Sequence, residues 1–158
     1  MTNHHKIALW FILLISFFCL TGFASPPSQE NQNIYHVKRA IDGDTILLSN
    51  GERVRYIGIN TPETKHPSKP VEHFGKEAYE ANKKLVEGKD IRLEFDVQQR
   101  DKYGRLLAYV YIGNVFVNAW LVENGYAHAV TYPPNVKYQK LFLKLEKESR
   151  ESSRGLWK

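Results

Sequence analysis

The spacing of the hydrophobic positions changes along the chain, and each spacing predicts a different type of element. Three short runs rich in β-branched and aromatic residues predict strands over 34–39, 45–49 and 53–59. They are separated by Asp42-Gly43-Asp44 and by Asn50-Gly51, and an Asn-Gly pair is a strong hairpin signal. We therefore expect an antiparallel sheet in this first part of the domain.

Helical spacing follows in three segments. The first runs from Phe74 to Leu85 and ends at Gly88, and the second covers 117–124 and is stopped by Gly125. The third is a C-terminal helix with an apolar stripe on one side and charged residues on the other; the stripe consists of Tyr138, Leu141, Phe142 and Leu145. Two further strands are predicted between the first two helices, over 91–95 and 106–112.

This order of elements predicts an α+β domain over 34–158. Three strands, a helix, two strands and two helices suit a small five-stranded oligonucleotide-binding (OB-fold) β-barrel with three helices. The faces and loops of such barrels bind nucleic acids. No internal repeat interrupts the region.

The first 24 residues differ from the rest of the chain and predict a signal peptide. A basic start with Lys6 precedes an uncharged apolar run that ends in small residues before the polar stretch SPPSQENQN. Cleavage after Ala24 would release the protein as a secreted or periplasmic one, with 25–33 as a flexible linker. The alternative is an uncleaved membrane anchor, because about 18 apolar residues are enough to span a bilayer.

Composition narrows the possible chemistry. The only cysteine, Cys19, lies in the predicted leader, so the processed chain would have no disulfide, no thiolate nucleophile and no Cys-based zinc site. The formal net charge of +5 favours polyanionic partners.

Three short segments concentrate the polar residues that could carry chemistry. They are IDGDT at 41–45, RYIGINTPE at 55–63 and DKYGR at 101–105. Each one alone is compatible with an ordinary turn or loop. Together, in this order and spacing, they resemble the staphylococcal (micrococcal) nuclease family from about residue 34 to 157. The resemblance implies a calcium-dependent nuclease that hydrolyses the phosphodiester bonds of DNA and RNA and leaves 3′-phosphates.

The resemblance also implies a metal site built from oxygen ligands. Asp44 matches the family's main calcium-binding carboxylate, Asn60 stands where the family usually has a second acid, and Thr61 would supply a backbone carbonyl. Calcium accepts such oxygens in a loose geometry. The amide at Asn60 keeps an oxygen ligand but removes one negative charge, so we expect weaker calcium binding than in an Asn60→Asp variant.

Three further residues match the family's catalytic positions. Glu63 matches the general base, or the group that orients the attacking water. Arg55 and Arg105 match the pair that clamps the scissile phosphate. The chemistry is reasonable, because a phosphodiester gains charge during in-line attack and a guanidinium contacts two phosphate oxygens at once.

Five residues are expected to bind the rest of the substrate: Lys65, Lys69, Lys102, Tyr103 and Tyr132. Aromatic faces stack on any base, and phosphate-directed cations carry no sequence information, so broad specificity is expected. DNA and RNA are the implied partners; no protein partner is implied, and we expect a monomer.

Two other interpretations compete with the enzyme. A non-catalytic OB-fold module would bind nucleic acid without cutting it, and we expect such a module to lose a clamp arginine or the base. A membrane-tethered protein-interaction domain would not need this set of polar residues. The presence of Arg55, Arg105 and Glu63 favours the enzyme. Asp42 is interpreted as a turn-forming or supporting residue rather than a metal ligand.

Overall fold

A computed structural model describes residues 34–64 and 72–158 of the chain. The predicted signal peptide, the predicted linker 25–33 and the two loop lysines Lys65 and Lys69 therefore lie outside the described residues. Within these two ranges, no helix has both the length and the apolar character needed to cross a bilayer.

Five strands form the main sheet: β1 (Ile34–Asp42), β2 (Thr45–Leu48), β3 (Arg53–Tyr56), β5 (Asp90–Glu94) and β6 (Leu106–Ile112). Three two-residue strands accompany them: β4 (Ile59–Asn60), β7 (Val115–Phe116) and β8 (His128–Ala129). The helices are α1 (Gly75–Val86), α2 (Val117–Glu123) and α3 (Gln139–Glu151), followed by a 3₁₀ turn at Gly155–Trp157.

The main sheet closes into a barrel. The antiparallel order is β3-β2-β1-β5-β6, and a parallel pairing of β3 with β6 joins the two ends of this order. Two irregularities interrupt the register of β1 against β2, one between Val37 and Arg39 and one between Ala40 and Asp42. The predicted fold class, a five-stranded OB-fold barrel with three helices, is confirmed.

The third predicted strand is shorter than expected. It ends at Tyr56, and the chain turns at Ile57-Gly58 before Ile59–Asn60 pairs with His128–Ala129. Gly58 has a φ of +78°, and a Cβ at this position would collide with the ring of Phe142. The turn therefore depends on glycine, and it separates Asn60 from the barrel strand that carries Arg55.

Two buried asparagines fix the backbone on either side of the site. Asn82 of α1 accepts a hydrogen bond from the Tyr56 hydroxyl at 2.9 Å and donates one to the Asp42 carbonyl at 2.8 Å. Asn118 of α2 accepts one from the Val110 amide and donates one to the Ile57 carbonyl. Both side chains have no exposed surface, so each bond satisfies a polar group that would otherwise be costly to bury.

Candidate functional site

Asp44 lies at the tight turn between β1 and β2, and donors surround its carboxylate. Its Oδ2 accepts hydrogen bonds from the backbone amide and the hydroxyl of Thr61, at 2.9 and 3.1 Å. Its Oδ1 accepts one from the Thr45 hydroxyl at 3.0 Å. The side chain is only 8% exposed, so the carboxylate is held in one orientation and joins the β1–β2 turn to the segment after β4.

Gly43 makes this contact possible. A Cβ at Gly43 would lie 2.6 Å from the Thr61 hydroxyl oxygen and 2.8 Å from the Thr61 Cβ. These separations are too short for any side chain. Only glycine lets Thr61 approach closely enough to bond Asp44.

Arg55 projects from β3 onto the same group of oxygens. Its Nη1 donates to the carbonyls of Tyr56 and Ile59 at 2.8 and 2.9 Å. Its Nη2 donates to the side-chain oxygen of Asn60 at 2.9 Å and lies 3.1 Å from Asp44 Oδ2. The structure therefore brings two of the predicted metal ligands, Asp44 and Asn60, to one guanidinium nitrogen.

The oxygens around Arg55 Nη2 are of the type that hard divalent cations accept as ligands. Two side-chain oxygens, one of them anionic, already converge on a positive group, and the backbone of Thr61 is adjacent. Within 34–64 and 72–158, no group of three or more His, Cys, Asp or Glu side chains is placed to hold a metal. A cation here would therefore rely on few protein charges and would leave coordination positions for water and a phosphate oxygen.

Glu63 lies against Asp42. Its backbone amide donates to a carboxylate oxygen of Glu72, and its carbonyl accepts from the Glu72 amide, both at 3.0 Å. Burial, then the hydrogen bond with the Glu63 side chain, raise the pKa of Asp42 to about 6, although bonds from the Gly43 amide and the Thr64 hydroxyl oppose the shift. The side chains of Asp42 and Glu63 are therefore hydrogen-bonded to each other.

Arg105 is oriented by a single carboxylate. Its Nε donates to Asp101 Oδ2 at 2.7 Å, and the other oxygen of Asp101 accepts from the amides of Tyr103 and Arg105. Burial opposes ionisation of Asp101, but the hydrogen bonds from Arg105 and Tyr103 outweigh it and lower the pKa. Because the bond uses Nε, the terminal fork of Arg105 is left for another anion.

A cavity of about 650 Å³ brings five of the predicted residues together. These five lining residues are Arg55, Lys102, Tyr103, Arg105 and Tyr132. Tyr103 and Tyr132 are 72% and 69% exposed at its rim. Of the described residues, Asp44, Asn60, Thr61 and Glu63 are absent from the walls of this cavity. Arg55 connects the two groups, since it lines the cavity and contacts both Asp44 and Asn60.

Several residues that hold this site are not indicated by the sequence patterns. Asn135 donates to the Gln98 carbonyl and accepts from the Gln98 amide, both at 2.7 Å, which ties the segment carrying Tyr132 to the segment before Asp101. These partners are 37 residues apart, and no local pattern indicates the contact. Asp101 lies in the DKYGR motif, but its orienting bond to Arg105 was not anticipated.

The fold and the cavity define a class of protein: an OB-fold barrel with a cationic cavity flanked by exposed aromatic rings. Comparison with known proteins identifies the family. The profile described as "Staphylococcal nuclease homologue" matches residues 53–158. The chain therefore belongs to the staphylococcal nuclease family, as the sequence motifs predicted.

Individual relatives agree with this assignment. The chain is 45% identical to the thermonuclease of Staphylococcus intermedius over 126 residues, which cover 78% of this chain and 75% of the relative. It is 38% identical to the thermonuclease of Staphylococcus hyicus, with coverage of 96% and 92%. It is also 42% identical to the endonuclease YncB of Bacillus subtilis (strain 168), with coverage of 84% and 66%.

Proposed function

We propose that this nuclease, a phosphodiester hydrolase by family, is exported, depends on calcium, cuts DNA and RNA with little sequence specificity and leaves 3′-phosphates. The observation that carries the proposal is the position of Arg55. It contacts the candidate metal ligands Asp44 and Asn60 and also lines the cavity that holds Arg105. A phosphate bound at this junction would meet the predicted catalytic cations together with the cation site.

Calcium bound by Asp44, Asn60 and the Thr61 carbonyl would act as a Lewis acid at a non-bridging phosphate oxygen. The arginines supply fixed positive charge at the same phosphate. Arg105 offers its terminal fork, whereas Nη2 of Arg55 exchanges the oxygens of Asp44 and Asn60 for a phosphate oxygen. Fixed charges of this kind each contribute about 3 kcal/mol to the transition state.

Glu63 is proposed to orient the attacking water and to accept its proton. The Glu72 contacts on both sides of its peptide fix its backbone. The Asp42 side chain, which is hydrogen-bonded to the Glu63 carboxylate, would help to hold that carboxylate in place. A base of this kind needs only to lie within hydrogen-bond reach of the water.

Substrate binding is proposed to depend on Lys102, Tyr103 and Tyr132. The first provides a phosphate-directed cation, and the two exposed rings offer stacking surfaces that accept any base. Neither feature reads a base edge, which supports action on DNA and RNA alike. Lys65 and Lys69, which lie outside the described residues, are proposed from the family resemblance to supply further phosphate-directed cations.

Export is proposed from residues 1–24, whose basic start, apolar run and small residues are typical of a cleaved leader. An N-terminal analysis of protein recovered outside producing cells tests it. A chain that begins at Ser25 is expected. Recovery of the full-length chain in the membrane fraction would instead indicate an anchored enzyme.

The activity is tested with denatured DNA on a gel, with calcium and with a chelator. Cleavage is expected only with calcium, and it should be lost in Arg55→Ala and in Glu63→Gln. Glu80→Gln, at an exposed position on α1, is the matched control and should cleave like the wild type. Undiminished cleavage by the two site variants would overturn the residue assignment, and binding without cleavage by the wild type would favour the non-catalytic module.

A further inference from the structure

The outer face of the β1–β2–β3 sheet carries two exposed arginines, Arg39 and Arg53. Within the described ranges, neither side chain makes an ion pair or a hydrogen bond. The neighbouring acid, Glu52, does not neutralise them, because both of its oxygens accept hydrogen bonds from Arg100, at 2.9 and 3.0 Å. The face therefore has uncompensated positive charge.

Strand register places these arginines in one row. Arg39 is paired with Leu47, and Leu47 is paired with Arg53 on its other side. Two strand spacings separate Arg39 from Arg53, which corresponds to about 10 Å between their backbones. The row thus runs across three strands with an apolar side chain between two cations.

The row is continuous with the catalytic cavity. Val54 and Tyr56 are buried inside the barrel, so alternation along β3 places Arg53 and Arg55 on the same outer face, about 7 Å apart. Arg55 is paired with Leu107 of β6, and both residues line the cavity. A chain that leaves the cavity past Arg55 therefore meets Arg53 next and Arg39 after it.

We propose that Arg39 and Arg53 form an arginine track that binds successive phosphates of a single-stranded polynucleotide whose scissile phosphate lies at Arg55 and Arg105. This inference rests on the proposed function. A single strand is favoured over a duplex because the exposed rings of Tyr103 and Tyr132 stack on unpaired bases. The track gives the protein a preference for long substrates without adding sequence specificity.

The test compares the double variant Arg39→Gln/Arg53→Gln with the wild type. Binding of fluorescent single-stranded DNA of about four and about 16 nucleotides, a range that spans the site sizes of OB folds, is measured in chelator to prevent cleavage. The control Lys84→Gln/Lys158→Gln removes the same charge from exposed positions on α1 and at the C-terminus. Thermal midpoints of all proteins are compared; if the double variant is destabilised, Arg39→Lys/Arg53→Lys should retain the binding.

For the long oligonucleotide, the slope of log affinity against log salt should decrease in magnitude by about 0.7 for each arginine removed. If the affinities are equal at 1 M salt, this change in slope lowers the affinity at about 0.1 M salt by about fivefold for each arginine removed. The loss should be much smaller for the short oligonucleotide, and the control should match the wild type. Equal losses at both lengths, or an equal loss in the control, would overturn the proposal.

Two outcomes separate this inference from the proposed function. Length-dependent binding in a protein that never cleaves would refute the nuclease mechanism and leave the track standing. Calcium-dependent cleavage combined with unchanged long-oligonucleotide binding in the double variant would refute the track alone. If the double variant loses binding only to vesicles of anionic phospholipid, the face serves a membrane surface and the track is wrong.

Discussion

Arg55 and Arg105 line the same cavity but are held in very different ways. Arg55 belongs to the barrel half of the site: four acceptors surround its guanidinium, and its side chain is only 15% exposed. Arg105 belongs to the loop half: its side chain bonds one carboxylate, Asp101, and is 29% exposed. The difference shows that Arg55 is held rigidly by the barrel, whereas Arg105 keeps more freedom to adjust to a bound group.

The largest expected effect comes from replacing each arginine by lysine. Arg55→Lys and Arg105→Lys should each lower kcat/KM by about 100- to 1,000-fold, because lysine cannot contact two phosphate oxygens at once. Only Arg55→Lys should also lower the free energy of unfolding, by about 2 kcal/mol, because it leaves buried Asp44 and two partly buried carbonyls without their donor. Steady-state kinetics and urea denaturation measure the two effects; equal stability losses in both variants would contradict the comparison.

The next largest effect is expected when the hydrogen bonds from Thr61 to Asp44 are disturbed. Gly43→Ala should displace Thr61, weaken calcium binding and lower the free energy of unfolding by about 1–3 kcal/mol. Gly113→Ala is the control: Gly113 has a φ of +53° and open space around it, so it should lose about 1 kcal/mol of stability with normal calcium binding. Calorimetry of calcium binding separates the two variants, and equal affinities would show that the approach of Thr61 to Asp44 is unimportant.

A smaller effect is expected from replacing the two exposed rings at the rim of the cavity. Tyr103→Ala and Tyr132→Ala should each raise KM by about tenfold through lost stacking, with little change in kcat or in the thermal midpoint. Kinetics on single-stranded DNA measure this split. A fall in kcat with KM unchanged would show that these rings act on the reacting phosphate instead.

The smallest expected effect is that of Glu94→Gln on the stability of the protein at acid pH. Burial opposes ionisation of Glu94, but the hydrogen bonds from Lys137 and Tyr138 outweigh it and lower the pKa of this carboxyl. A lowered folded-state pKa gives stability that is present above the ordinary value of 4.5 and is lost as the pH falls below it. Glu94→Gln should flatten this decline in unfolding free energy at acid pH. An unchanged decline in the variant would show that Glu94 does not contribute to it.

A variant at the proposed calcium site tests the barrel half directly. Asn60→Asp should bind calcium more tightly than the wild type, because it adds a negative charge to a site with one carboxylate. It would also place a second anion on Arg55 Nη2, which now bonds the Asn60 amide oxygen at 2.9 Å. Titration calorimetry measures the affinities; equal or tighter binding by the wild type would contradict the expected role of Asn60.

Much of the fold followed from local patterns. The strand alternation and the helical stripes predicted the barrel strands and the three helices, because burial of one face imposes these periods. The turn at Gly58 was missed, because the ring of Phe142, which leaves no room for a side chain there, lies in α3, far along the chain. Closure of the barrel by the parallel pairing of β3 with β6 is likewise a long-range event.

For the candidate site, the sequence predicted which residues lie together but not how their side chains are held. The family resemblance named Arg55, Arg105, Lys102, Tyr103 and Tyr132, and the structure places these five on one cavity. The motifs gave no indication of how these side chains are held. Hydrogen bonds to distant partners decide this, as in the bond of Asn135 to Gln98 and the contact of Glu63 with Asp42.

The central claim is that Arg55 and Arg105 act on one phosphate, and a double-mutant cycle tests it most directly. The measurement is kcat/KM with calcium for the wild type, Arg55→Lys, Arg105→Lys and the double variant. When two residues act as a unit, replacing both lowers kcat/KM little more than replacing one of them. We therefore predict a coupling free energy of at least about 1 kcal/mol between Arg55 and Arg105. Losses that simply multiply in the double variant would contradict the claim, because they would show that the two arginines act independently.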